Sequence, residues 1–233
     1  MRKTISTLNK IAVVILVLLA LIFFSFTEGD ECASWAISLM YFTGQSNLWV
    51  FLIFLALLIF MLLFRLGKVK IIPKFLYVIK YVVTVCISMT LTVFVCLIAP
   101  FAGSMYTPWS AYSIITHLLV PIIAIVDFYL DGYQIAYKKR HVFLSLIPPV
   151  VYFSIASILC VLKVDFGRGQ AFPYFFMNFY SEVGVFGFKW GNPTLIGSFY
   201  WFMILTLMFV LLAILLFYTH PKTRKNRIHN KRR

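Results

Sequence analysis

Apolar residues dominate the chain in long runs, and the polar positions between them fall into short clusters. The uncharged run Leu48–Phe64 is the clearest, and several other stretches exceed the ~18 residues that mark a membrane-crossing helix. These runs predict six spans at about 11–26, 38–64, 75–99, 110–130, 142–162 and 194–218. The fold class is therefore all-α, a polytopic membrane protein with a single six-helix domain over 1–233 and a basic tail at 219–233. A transmembrane β-barrel would show ~10-residue alternating segments, which the chain lacks.

The breaks between spans carry their own signals. Ile11–Phe26 follows Arg2, Lys3 and Lys10 as a signal-peptide core would, but no small-x-small cleavage site follows it. It reads as a retained first helix. Pro73 closes the loop after the second span, Pro100 ends the third, and Pro148-Pro149 should kink the fifth. Thr84, Ser88, Thr90 and Thr92 in the third span suit close packing of neighbouring helices. The longest connection, Lys163–Pro193, holds five glycines and many aromatic residues.

Composition agrees with a membrane chain: 233 residues are 62% hydrophobic and 12% charged, with mean hydropathy +0.95. The net charge of +14 points first to nucleic acid. Lys and Arg, however, crowd the N-terminus, the loops after spans two and four, and the tail. The positive-inside rule accounts for that distribution and puts both termini in the cytoplasm. Nucleic acid is accordingly not expected as a partner, whereas membrane lipids are. The Lys-rich, low-charge style suggests a bacterial plasma membrane. Cys32, Cys86, Cys96 and Cys160 have no metal-ligand or redox spacing, so neither a metal nor an organic cofactor is implied, and a Cys96–Cys160 bridge is not expected.

Chemistry concentrates at Tyr41-Phe42-Thr43-Gly44-Gln45-Ser46-Asn47, where small polar residues lead into the second span. Such groups are costly against lipid and should turn inward. His117 is the one histidine predicted inside a span. Spans two and four run in the same direction, so depths compare directly. Thr43 lies about 31 Å of helix before Phe64 and His117 about 20 Å before Leu130, and the two can meet. A Thr hydroxyl needs a base to become a nucleophile, and His117 is the candidate. Asn47, one turn after Thr43, is placed to orient the hydroxyl or serve an oxyanion. Ser113, four residues before His117, and Thr116 are local hydrogen-bond candidates. The competing reading of Thr43 is a helix cap, and of His117 a helix–helix hydrogen bond. Asp127, read as the remaining ionisable group in a span, is about 15 Å of helix from His117 and is expected to pair with a basic residue at the cytoplasmic boundary.

The motif Tyr41–Asn47, His117 with Pro121 and Asp127, and Phe172-Pro173-Tyr174-Phe175-Phe176-Met177-Asn178 together resemble three landmarks of one family. It comprises the androgen-induced and androgen-dependent transmembrane hydrolases with their bacterial six-span relatives. The resemblance covers most of the chain and is nearer the bacterial branch in Gln45-Ser46-Asn47 and Asp127. It implies an intramembrane threonine hydrolase that cleaves fatty acid esters of hydroxy fatty acids, with Thr43 and His117 in the catalytic positions. The function expected is hydrolysis of a lipid or fatty-acyl ester, with Ser113, Arg168, Tyr174 and Lys189 as candidate substrate contacts. The aromatic loop can cover an outer-leaflet cavity or simply sit at the interface. The alternative is a small transporter or lipid-binding protein without covalent chemistry, using His117 and Asp127 to relay protons or contact substrate.

Overall fold

A computed structural model describes residues 1–27, 35–101, 107–131, 134–167, 169–191 and 193–231. Six of the described helices are long and apolar enough to cross a membrane: Arg2–Ile22, Phe42–Arg65, Lys74–Ile98, Ala111–Leu130, Lys139–Val161 and Ser198–Thr219. The protein is an all-helical membrane protein, and these six are its first to sixth spans. The tail adds one more helix, Pro221–Lys231.

The third span is the hub, with 61% of its most apolar window buried against 17% for the fifth and 22% for the sixth. It packs against the second, fourth, fifth and sixth spans and so sits at the centre of the bundle. Its hydroxyls turn back on their own helix: Thr84, Ser88 and Thr92 donate to the carbonyls of Lys80, Thr84 and Ser88 at 2.7, 2.7 and 2.9 Å. Polar side chains on a buried helix are thereby satisfied without a partner helix.

The predicted second span is divided. A short helix, Trp35–Met40, ends at Tyr41, whose extended backbone starts the long helix Phe42–Arg65. Ser38 Oγ meets Tyr112 Oη of the fourth span at 2.9 Å, anchoring the short helix there. Glycine is required at position 44, because a Cβ there would stand 2.0 Å from the Ser38 carbonyl oxygen. Thr43 consequently occupies the first turn of its helix, at the end of the bundle that also carries the long loop.

Two spans contain a π-helical turn, Phe94–Ile98 in the third and Ile115–Leu119 in the fourth. In the fourth, the Val120 N–H reaches back to the Ile115 carbonyl. Pro121 follows and has no N–H for the His117 carbonyl four residues earlier, so an unmodified α-helix cannot pass through this point. Turns of this kind recur at functional sites.

At the opposite, basic end, the first, third and fourth spans are tied by buried charges. Asp127 lies 2.5 Å from Lys80 Nζ and 3.0 Å from Lys10 Nζ, and Asp131 is 2.7 Å from each lysine. Ser6 Oγ also donates to Asp127, at 2.7 Å. Asp127 therefore meets two lysines, and neither is in a loop. Lys80 corrects the sequence reading of Asp127 as the remaining charge within a span. Two cations against two anions leave the cluster neutral, which is how buried charge is tolerated. Burial alone would raise the Asp131 carboxyl, but the Lys80 and Lys10 ammonium groups outweigh it and hold it down at about 2. Cys86, Cys96 and Cys160 are free thiols.

Candidate functional site

The divided second span and the π-turn of the fourth bring Thr43 and His117 together. Thr43 Oγ1 lies 3.2 Å from His117 Nε2, and both residues are buried, at 7% and 5% exposure. The other ring nitrogen decides the proton positions. His117 Nδ1 is 3.0 Å from the Ser113 carbonyl oxygen, which can only accept. Nδ1 therefore carries the hydrogen and donates it there, and the neutral ring offers the Nε2 lone pair to the Thr43 hydroxyl. The Ser113 and Thr116 hydroxyls each stand 3.2 Å from the same Nδ1. Thr116 Oγ1 also donates to the Tyr112 carbonyl at 2.8 Å, so its oxygen faces the Nδ1–H as an acceptor. Phe94 stacks on the imidazole with ring centroids 4.4 Å apart.

Asn47 acts on the backbone. Its Nδ2 donates to the carbonyls of Thr43 and Thr116 at 2.9 and 3.0 Å, linking the second span to the fourth. Both Nδ2 hydrogens are thereby engaged. Its Oδ1 is buried without a hydrogen-bond partner. Ser46 Oγ reaches the Thr43 carbonyl at 3.1 Å and Thr90 Oγ1 of the third span at 2.8 Å. Gln45 turns away and donates to the Leu39 carbonyl.

The long loop folds over this end. Tyr174 Oη accepts from the Thr43 backbone N–H at 3.4 Å, one of the free donors of the first helical turn. Burial pushes the Tyr174 hydroxyl up, so it keeps its proton at neutral pH. Tyr41 packs edge-on against Tyr174 and donates to the Phe166 carbonyl at 2.9 Å, pinning the loop. Beneath it lies a cavity of about 160 Å³. Thr43, Tyr174 and Tyr152 stand on its wall among almost entirely apolar groups from the third, fifth and sixth spans.

The remaining candidates lie elsewhere. Ser113 is fully buried, stands beside the imidazole and is not among the residues lining the cavity. Lys189 is 65% exposed, stands 3.7 Å from Glu182 and is not among the residues lining the cavity. Arg168 lies outside the described residues. Asp127 is wholly buried in the charge cluster and does not reach the cavity. Sequence reading missed Phe94 and Tyr152. Phe94 carried no signal, being one aromatic among 25 phenylalanines. Tyr152 had a faint one, a hydroxyl in mid-span that needs a partner and finds the Met40 carbonyl at 3.3 Å. Among the described residues, no group of three or more His, Cys, Asp or Glu has a geometry to hold a metal ion.

No protein-family model, curated protein or solved structure matches the chain.

Proposed function

We propose that the protein is an intramembrane hydrolase of lipid or fatty-acyl esters, with Thr43 as nucleophile and His117 as base. The observation that carries the reading is the buried Thr43–His117 contact with Nδ1–H held on a carbonyl. Nucleophile, base and orienting acceptor thus stand in the order of a catalytic triad, with a backbone carbonyl in the third place. The resemblance to the androgen-induced transmembrane hydrolases supports the same two residues, and the apolar cavity at Thr43 supports an acyl substrate.

In the reaction, Thr43 Oγ1 attacks the acyl carbonyl carbon while its proton passes to His117 Nε2. The tetrahedral intermediate collapses, the carbon–oxygen bond to the alcohol breaks, and the imidazolium returns its proton to the departing oxygen. Water then attacks the Thr43 ester with Nε2 again taking the proton, which is given back to Thr43 as the acid leaves. The Thr43 N–H donates to Tyr174 Oη and so keeps that hydroxyl beside Thr43, and Tyr174 O–H is the donor we assign to the developing oxyanion. Asn47 holds the two helices in register. We place the basic end in the cytoplasm of a bacterial plasma membrane, which puts Thr43 at the outer boundary.

The test is covalent labelling with a fluorophosphonate probe in detergent, alongside release of fatty acid from a panel of lipid esters. Wild-type protein is expected to label and Thr43→Ala and His117→Ala to lose labelling. Equal labelling of Thr43→Ala eliminates the mechanism.

A further inference from the structure

The cavity is not closed, and the position of its mouth carries information about how a substrate arrives. Val150 and Thr206 both stand on the cavity wall, yet Val150 is 56% exposed and Thr206 is exposed. Each lies near the middle of its span, Lys139–Val161 and Ser198–Thr219. Exposure at that depth is exposure to hydrocarbon, because water ends at the helix termini. The mouth therefore opens sideways, between the fifth and sixth spans. These are the two least buried of the six, and where they face the cavity they meet through Phe153 and Phe202, with ring centroids 4.6 Å apart.

Depth fixes which part of a lipid fits. Thr43 and Tyr174 line the cavity at the long-loop end, and Leu146 and Phe209 line it farther toward the basic end. Phe209 is eleven residues below Ser198, or roughly 16 Å of helix. Half of a ~30 Å hydrocarbon core is about the same length. The cavity thus lies along one leaflet, with Thr43 and Tyr174 toward the headgroup boundary and Phe209 near the bilayer midplane.

We propose that this cavity takes one acyl chain of a bilayer-resident ester, drawn sideways from the long-loop leaflet through the opening between Val150 and Thr206. Phe153 and Phe202 form the lintel of that opening. The ester then reaches the level of Thr43 without leaving its natural depth, while its tail extends to Phe209. A short, water-soluble ester has no chain to fill the apolar wall and enters poorly. The proposal deepens the hydrolase reading in naming a membrane lipid as the substrate class, but the cavity and its mouth do not depend on Thr43 chemistry.

The experiment uses full-length protein in phosphatidylglycerol vesicles containing a phospholipid with a mid-chain diazirine on one acyl chain. After illumination, the crosslinked residues are mapped by mass spectrometry. Crosslinks are expected on the interior residues Met89 and Phe209 and should persist in Thr43→Ala. The double variant Val150→Trp/Thr206→Trp is expected to lower them about tenfold, equivalent to about 1.4 kcal/mol of lost binding. Leu207→Trp, on the neighbouring lipid-facing surface at 60% exposure, should leave them unchanged. Phe202→Ala, which widens the mouth, should raise them, so the proposal stays testable if the double variant does not fold. Crosslinks confined to outward residues such as Leu207 and Ile155, or undiminished at Met89 and Phe209 in a folded double variant, overturn the lateral portal. Interior crosslinks without any ester hydrolysis leave the portal standing and remove the hydrolase.

Discussion

Phe94 lies nearly parallel to the His117 imidazole, 23° from coplanar and 4.4 Å between centroids, and each ring is carried on its own π-helical turn. The two irregular turns are thus one device. A ring on the third span there backs a ring on the fourth. The imidazole thus has Phe94 on one face, the Ser113 carbonyl at Nδ1 and Thr43 at Nε2.

Phe94→Leu keeps much of the volume but removes the flat backing. A stacked aromatic pair contributes about 0.5–1.5 kcal/mol, so global stability should fall only slightly. Labelling of Thr43 should fall about tenfold or more, because small misplacements of a catalytic base are costly. Melting in detergent and labelling rate, measured together, check this.

Gly44→Ala sets a methyl group against the Ser38 carbonyl, where the Cβ would stand 2.0 Å from the oxygen and the obstacle is backbone. The short helix Trp35–Met40 or the first turn of the second span has to move. The expected cost is about 1–3 kcal/mol, with loss of Thr43 labelling. Normal melting with normal labelling would contradict the close approach.

The buried charges of Lys10, Lys80, Asp127 and Asp131 should behave as a set. Lys80→Met alone leaves two carboxylates facing one lysine, at a cost of about 3–5 kcal/mol. Lys80→Met combined with Asp127→Asn restores neutrality and should recover much of that loss. A thermal-melting cycle of the two single variants and the double variant reads the recovery. The folded double variant should label at Thr43 as wild type does, since Asp127 is about 15 Å of helix from His117.

Acid should weaken the basic end. His220 is pushed down to about 4, first by burial and then by the nearby Lys80 and Lys222 charges. The folded state therefore holds it neutral while the unfolded chain takes up a proton. Its contribution is complete above the ordinary histidine range near 6.5 and is lost as pH falls toward 4. Asp131, held down at about 2 against 3.8, adds a second loss below about pH 4. Melting temperature should be flat from about pH 7 to 8 and decline below about 6.5, and His220→Gln should flatten the upper part of that decline.

The six spans were legible in the chain because the cost of exposing polar groups to hydrocarbon forces each crossing into a long apolar run, whatever its neighbours are. The depths of Thr43 and His117 followed from helix rise alone, and so did their possible meeting. What stood opposite each polar side chain was not legible, since it depends on how each helix is rotated and on which spans adjoin. Asn47 sits one turn from Thr43 in sequence, yet its amide spends both donors on two backbone carbonyls. Lys80 became a partner of Asp127 only once the third span was placed at the centre of the bundle. Pro121 signals an irregular turn beside His117, but that Phe94 of the third span would meet the imidazole there was not written in any residue pattern, and the opening proposed at Val150 and Thr206 depends on the loose packing of two spans. Hydropathy is a property of each segment by itself, whereas these pairings are properties of the assembled bundle.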